Sequence, residues 1–355
     1  MRLFRKILLT VIALAVIFVI YFIITRKLDN AVMEEYSAYR APDNPTLLSS
    51  LFVNGEQFYI KIPTQNGDTL LAFGDSGGGL CFANPNSLEK LHLLSHVKTA
   101  LLRGIMPMHY ILFSDIAGHT AVPGPSLLRE KPLRTPFKKI TEPFFFVLPE
   151  DDELKFMMNN TPFDLFLGQN FFMTHSWTFD YLHQQIWVNT PLGNVDKSNP
   201  HVQHIGFVKN SKGVNVYGHG SILVEIDGIV YEMLFDTGAT LVLSDEGKQA
   251  FNTSAKTKAA SYMARSVFSK WHAQHPEWKY YKHADWNADV IEVPSIKMAG
   301  NEIGPVLFAE RPDEAWSVNM RGSTDTLVKG AIGGSALKYL KVTVDYNSDL
   351  IKFEK

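Results

Sequence analysis

Short runs of apolar residues, some alternating with polar ones, recur along most of the chain and are broken by Gly, Asn, Asp and Pro. This short-period patterning predicts strands rather than long helices. Leu51–Ile62 contains Asn54-Gly55, and Ser221–Phe235 contains Asp227-Gly228, so each predicts a hairpin. Asn66-Gly67-Asp68 predicts a further turn, followed by a strand from Thr69 to Phe73. Phe144–Leu148 and Val306–Phe308 are unbroken apolar runs, each led in by a proline (Pro143, Pro305), and predict buried strands. Alternation around Phe179 and Val344 predicts two more strands, each followed by a turn and a second strand, Ile186–Val188 and Ile351–Phe353. Helix is predicted over Ser87–His96, with Ser87 as its cap, and over most of 247–270. The aromatic and histidine-rich stretch Trp271–Trp286 predicts an amphipathic element packed on the second half, with no counterpart in the first.

One apolar run is longer. Ile7–Ile24 is interrupted only by Thr10 and Tyr21, and as a helix it would span about 27 Å, near the thickness of a bilayer's hydrocarbon layer. Arg2, Arg5 and Lys6 precede it, which favours a cytoplasmic N-terminus and an extracytoplasmic main domain, in a bacterial periplasm on this reading. A cleaved signal peptide is the alternative, although Tyr21–Lys27 is a poor cleavage context. The polar linker after it has helix potential at 31–39 and a stop at Pro42.

The patterning also repeats. Phe73-Gly74-Asp75-Ser76-Gly77 is matched by Leu234-Phe235-Asp236-Thr237-Gly238. Further on, Phe166-Leu167-Gly168 is matched by Ala331-Ile332-Gly333. From each of these glycines the spacing agrees without a gap, and the pairs Asp180-Tyr181 and Asp345-Tyr346 lie at the same offset. A spaced match of this length is a duplication signal. It divides the chain into a cytoplasmic tip and anchor at 1–28, a linker at 29–47, a first lobe at 48–192, an inter-lobe segment at 193–217 and a second lobe at 218–355. Each lobe presents one carboxylate to a shared cleft.

Composition narrows the chemistry. The 355 residues are 46% hydrophobic, enough for two sizeable cores, and a net charge of −2 argues against a nucleic-acid partner. The single cysteine, Cys81, cannot form an internal disulfide and lies between Leu80 and Phe82, as expected of a buried, inert thiol. His201, His204 and His219 lack the remaining pattern of a zinc site, so no metal or cofactor is expected. Gly330–Gly334 lacks the Lys and Ser/Thr of a phosphate loop. Gly74–Gly78 fits a serine-nucleophile elbow literally, but the repeat replaces Ser76 with Thr237 and keeps the carboxylate. His272, His275 and His283, set among Trp271, Trp278 and Trp286, are compatible with a carbohydrate or peptide platform, with a membrane-interface belt or with plain packing on the second lobe.

Through Asp75-Ser76-Gly77, Asp236-Thr237-Gly238-Ala239-Thr240 and the apolar-apolar-glycine elements ending at Gly168 and Gly333, the chain resembles the aspartic proteases in their two-lobed, pepsin-like arrangement, each lobe like a retropepsin unit. The resemblance spans Leu51 to Phe353 and implies a mostly β fold with two barrel-like lobes about a pseudo-two-fold axis, in a monomer. It implies Asp75 and Asp236 as a catalytic dyad, with Ser76, Gly77, Thr237, Gly238 and Thr240 supporting the two loops. Ser76 and Thr237 would bond across the axis. The partner would be a peptide or protein substrate, hydrolysed by an activated water. Gly74 and Gly79 depart from the family, which has an apolar residue and a Ser or Thr there. A substrate-covering flap is expected near Tyr110–Gly118. The alternative is an inactive binding or scaffold protein that keeps the fold.

Overall fold

Strand pairing follows one plan twice. The computed structural model describes residues 11, 14–21, 23, 44–102, 106–127, 133–134, 140–148, 155–156, 160–286 and 288–355. Among these the protein is mostly β and contains two nine-stranded sheets, a six-stranded sheet and a two-stranded one. Seven neighbouring strands of the first large sheet are, in spatial order, Gln57–Pro63, Thr69–Gly74, Leu165–Leu167, Phe82–Ala83, Phe144–Val147, Met106–Leu112 and Lys98–Leu102. In the second, Ser221–Ile226, Ile229–Phe235, Gly330–Ile332, Ser261–Ala264, Val306–Arg311, Ala288–Val293 and Lys279–Asp285 stand in the same order. The senses of pairing agree at every step: antiparallel, parallel, antiparallel, parallel, antiparallel, antiparallel.

The six-stranded sheet joins the halves. Ser176–Asp180 pairs antiparallel with Lys341–Asp345, with Thr178 opposite Thr343. These two threonines stand ten residues after Gly168 and Gly333, so equivalent residues of the repeat face each other, and their hydroxyls lie 2.8 Å apart. Each strand continues into its own hairpin, whose turn holds an equivalent residue with positive φ, Gln184 or Asp349. Beneath this sheet the largest apolar cluster runs through both halves and includes Phe58, Phe171, Phe172, Trp177, Phe179, Phe235 and Phe353. Continuous burial explains why the linking strands Ser176–Asp180 and Lys341–Asp345 alternate so weakly: both their faces are covered.

Several local expectations are corrected. The helix expected over Ser87–His96 is Pro85–Lys90, because Asn84 caps it through Asn86 N (3.0 Å) and Pro85 suits the first turn; positive φ at His92 ends it before a 3-10 turn at Leu94–His96. The helix expected over 247–270 is broken. Asp245–Ala250 stops at Asn252, also at positive φ, and Thr257–Ala259 and Ser261–Ala264 are taken up by sheet pairing before helix resumes at Arg265–Gln274. The Trp271–Trp286 stretch does have a counterpart, since Lys279–Asp285 occupies the place of Lys98–Leu102. The inter-lobe segment contributes Val202–His204, paired with Leu350–Glu354, and sheet pairing begins at Thr46, within the expected linker. Cys81 is buried and free.

Residues 14–21 are helical and expose their apolar side chains. Among the described residues no helix is long and apolar enough to cross a membrane. The anchor expected at 7–24 falls partly outside them, and the linker helix at 31–39 wholly so.

Candidate active site

Each half delivers its aspartate in the same way. Thr69–Gly74 runs parallel to Leu165–Leu167, and Asp75 N donates to Leu167 O (3.0 Å). Ile229–Phe235 runs parallel to Gly330–Ile332, and Asp236 N donates to Ile332 O (2.9 Å). The apolar-apolar-glycine elements are thus the strands that brace the two loops. Their glycines permit close packing: a β-carbon at Gly168 would meet the Leu80 backbone, and one at Gly333 the Ala260 carbonyl.

The two loops meet and grip each other reciprocally. Ser76 Oγ donates to Phe235 O (3.0 Å) and accepts from Thr237 N (3.0 Å). Thr237 Oγ1 donates to Gly74 O (3.1 Å) and accepts from Ser76 N (3.0 Å). Ser76 is 1% exposed and Thr237 fully buried, so all four bonds are shielded from water. Gly77 and Gly238 lie where a side chain would overlap the opposite aspartate, Asp236 and Asp75 respectively. Glycine at these two positions lets the carboxyls approach.

Asp75 and Asp236 share a side-chain hydrogen bond. Burial first, and then the charge of Asp236, push Asp75 well above the usual carboxylate range. Burial also raises Asp236, opposed by the bond from Asp75 and by the amides of Gly238, Gly77 and Ala239. Gly238 N donates to Asp236 Oδ1 at 3.0 Å. Asp75 Oδ1 is inaccessible and has no partner. Asp75 in turn receives the amides of Gly78 and Gly77, and the two carboxyls titrate as one coupled pair that shares a proton.

Around the dyad the two halves differ. Thr240 Oγ1 donates to Gly238 O (2.7 Å) and receives a bond from Gln57 Nε2. Tyr262 Oη accepts from Thr240 N (2.8 Å) and donates to Thr240 O (2.7 Å). Arg311 lies 4.0 Å from the Tyr262 ring centroid and pairs with buried Asp285 (2.8 Å), which in turn accepts from Val242 N (2.8 Å). Burial pushes the Tyr262 hydroxyl up to about 12, against the lowering effect of Arg311. In the first half Phe82 stands in the place of Tyr262, and Gly79 makes no equivalent bond. At Gly74 the Phe58 ring fills the space a β-carbon would need, which accounts for glycine there.

All the residues singled out in the sequence, Asp75, Ser76, Gly77, Asp236, Thr237, Gly238 and Thr240, converge here. Lys98–Leu102 and Met106–Leu112 form a hairpin that overlaps only the start of the expected Tyr110–Gly118, where Phe113–Ile116 instead forms a helical turn. Its tip at 103–105 lies outside the described residues. Sequence reading missed Gln57 and Tyr262 and weighed His219 only as a metal ligand, whereas its Nε2 lies 3.2 Å from Gly78 O. A signal for the first existed: Gln57 and Gly218 each stand eighteen residues before an aspartate, and both reach across to the opposite half, Gly218 N donating to Gln169 Oε1. Among the described residues no cluster of His, Cys, Asp and Glu could hold a metal ion. A scan against protein-family models finds no match, and a search of the curated proteins finds none either.

Proposed function

We propose that this protein is an aspartic endopeptidase of the two-lobed type, anchored through residues 7–24 with its main domain on the extracytoplasmic side. One observation carries the reading: two buried carboxyls from repeated loops share a hydrogen bond and are locked together by four reciprocal bonds between Ser76 and Thr237 and the opposing backbone. Two carboxyls this close cannot both ionise, and one proton is shared between them, which is the behaviour that defines the aspartic-protease dyad.

In the proposed reaction the ionised member of the Asp75–Asp236 pair takes a proton from a water held between the carboxyls. The water oxygen attacks the scissile carbonyl carbon while the protonated member gives its proton to the carbonyl oxygen, forming a tetrahedral diol. The diol then gives a hydroxyl proton to the carboxylate that had donated one. The other carboxyl passes the proton it took from water to the amide nitrogen as the carbon–nitrogen bond breaks, so the amine and the new carboxylic acid leave and the pair again holds one proton. The reciprocal grip holds the two carboxyls at a fixed separation through both steps, which is the kind of preorganisation that positioning depends on.

The test is cleavage of a mixed peptide library at acid pH by the purified full chain and by Asp75→Asn and Asp236→Asn. Each substitution is expected to abolish cleavage. Unchanged cleavage in both variants, or none by the unaltered protein under any acid condition, overturns the reading.

A further inference from the structure

The turn Asn54–Gln57 of the first half is seated in the second half, beside the loop that carries Asp236. Glu56 is 5% exposed, and its carboxylate is paired from the other half: Lys338 Nζ lies 2.8 Å and Lys258 Nζ 3.5 Å from it. A carboxylate buried this far needs such partners. The backbone of the turn is held as closely. A β-carbon at Gly334 would overlap the Glu56 carbonyl, so glycine at that position admits the turn. Lys258 adjoins Ala259, which pairs with Thr240 in the two-stranded sheet. Glu56 and Gln57 therefore engage the same pair of strands.

Gln57 is 6% exposed, and its Nε2 donates to Thr240 Oγ1. A hydroxyl has a single hydrogen to give. With Gln57 occupying a lone pair, the Thr240 hydrogen goes to Gly238 O at 2.7 Å. Gly238 N in turn donates to Asp236 Oδ1 at 3.0 Å. Three hydrogen bonds thus lead from a side chain of the first half to a carboxylate oxygen of the second. The opposite side lacks both ends of this relay. The repeat sets Gly218 in the place of Gln57 and Gly79 in the place of Thr240. Donor and acceptor are missing there together, as expected of two side chains that serve one contact.

We infer that Gln57 is a positioning residue of the proposed peptidase: through Thr240 it aims the Gly238 amide at the Asp236 carboxylate, while Glu56, clamped by Lys258 and Lys338, keeps it in reach. The inference rests on the peptidase reading above. Its consequence is chemical as well as steric. An amide that donates to a carboxylate favours the charged form. Loosening that amide disfavours the singly ionised state of the pair, so the acid limb of the pH profile moves to higher pH. Burial above all raises the Tyr181 and Tyr262 hydroxyls, which the charge of Asp236 also reaches, so both stay protonated across the acid range. Asp285, beyond Tyr262, is paired with Arg311. The limb therefore reports the two carboxyls.

The test compares the full chain in detergent with Gln57→Met, Gln57→Glu, Thr240→Val and the double variant that joins Gln57→Met to Thr240→Val. One readout is the pH profile of peptide cleavage. The other is carbon-13 NMR titration of the aspartate carboxyls, which needs no turnover. Methionine keeps the length of glutamine without its donor. It should move the acid limb and the carboxyl titration up by roughly half a pH unit or more. It should also lower kcat by about tenfold with KM little changed, the mark of an interaction that serves the reacting groups. Gln57→Glu brings a like charge toward the pair and should move the titration further in the same direction; it is close in shape and carries the test if the methionine variant does not fold. Because Gln57 acts through Thr240, the double variant should be no worse than Thr240→Val alone. A folded Gln57→Met whose pH profile and carboxyl titration match those of the unaltered protein overturns the inference and leaves the dyad standing, as do losses that simply add in the double variant. An unaltered chain that cleaves nothing sinks the peptidase reading, while a shifted titration in Gln57→Met would still uphold the link from Gln57 to the carboxyl pair.

Discussion

Thr237→Val tests the reciprocal grip between the two loops with little change of shape. Valine keeps the branched outline of threonine, so no cavity opens, but Oγ1 is lost. That atom accepts from Ser76 N at 3.0 Å and donates to Gly74 O at 3.1 Å, both in a region closed to water. Two buried backbone groups are left without partners, each costing about 1–3 kcal/mol, so the expected loss is about 2–6 kcal/mol. This is a large share of the ~5–15 kcal/mol by which folded proteins are stable. Ser76→Ala strands the mirror-related groups Phe235 O and Thr237 N, and because the four bonds are nearly equal in length the two losses should agree within about 1 kcal/mol. The assay is urea unfolding followed by tryptophan fluorescence, with peptide cleavage measured in parallel. Cleavage should fall by about a hundredfold, as expected when reacting groups move by an ångström. A loss of stability under about 0.5 kcal/mol in either variant is what a surface change costs, and it would refute the grip.

Other consequences follow from the asymmetry of the site. Tyr262→Phe leaves the amide and carbonyl of Thr240 unpaired and should cost about 1–3 kcal/mol by the same denaturation assay. Phe82→Tyr at the corresponding place in the first half should bring no matching gain, because Gly79 offers no side chain to engage. Both dyad carboxyls titrate higher folded than unfolded, so the protein binds protons there on folding. Their stabilising contribution is complete below the ordinary carboxylate range, near pH 4, and is lost as pH rises through the raised folded values. Asp75→Asn should therefore melt higher than the unaltered protein at pH 7, with the difference shrinking toward pH 4; a difference that grows toward acid pH contradicts the burial of the pair.

Much of this architecture was legible because it was written twice. The offsets from Gly168 and Gly333 place Thr178 and Thr343 at equivalent positions, and the two threonines face each other where the linking strands pair. The Asp-Ser/Thr-Gly tripeptides located the loops, since glycine is needed wherever the opposite carboxyl comes within a side chain's reach. Elements without a duplicate were read less well. Helix propensity in 247–270 yielded to pairing of Ser261–Ala264 between Val306–Arg311 and Gly330–Ile332, a demand set by residues far along the chain. The counterpart of Lys98–Leu102 was hidden because Lys279–Asp285 carries a different side-chain pattern and an irregular register between Tyr281 and Asp285. Tyr262, Arg311 and Asp285 come from three separate segments, and nothing local in any of them marks a brace for Thr240.

The most direct measurement of the central claim is calorimetric titration of the purified chain with pepstatin, whose hydroxyl would take the place of the water between the carboxyls, at pH 4–5 and again in Asp75→Asn and Asp236→Asn. The dyad predicts tight binding to the unaltered protein, weakened at least about a hundredfold by either substitution, in line with the extra affinity of transition-state mimics. Absence of binding, or binding of equal strength in all three proteins, would contradict it.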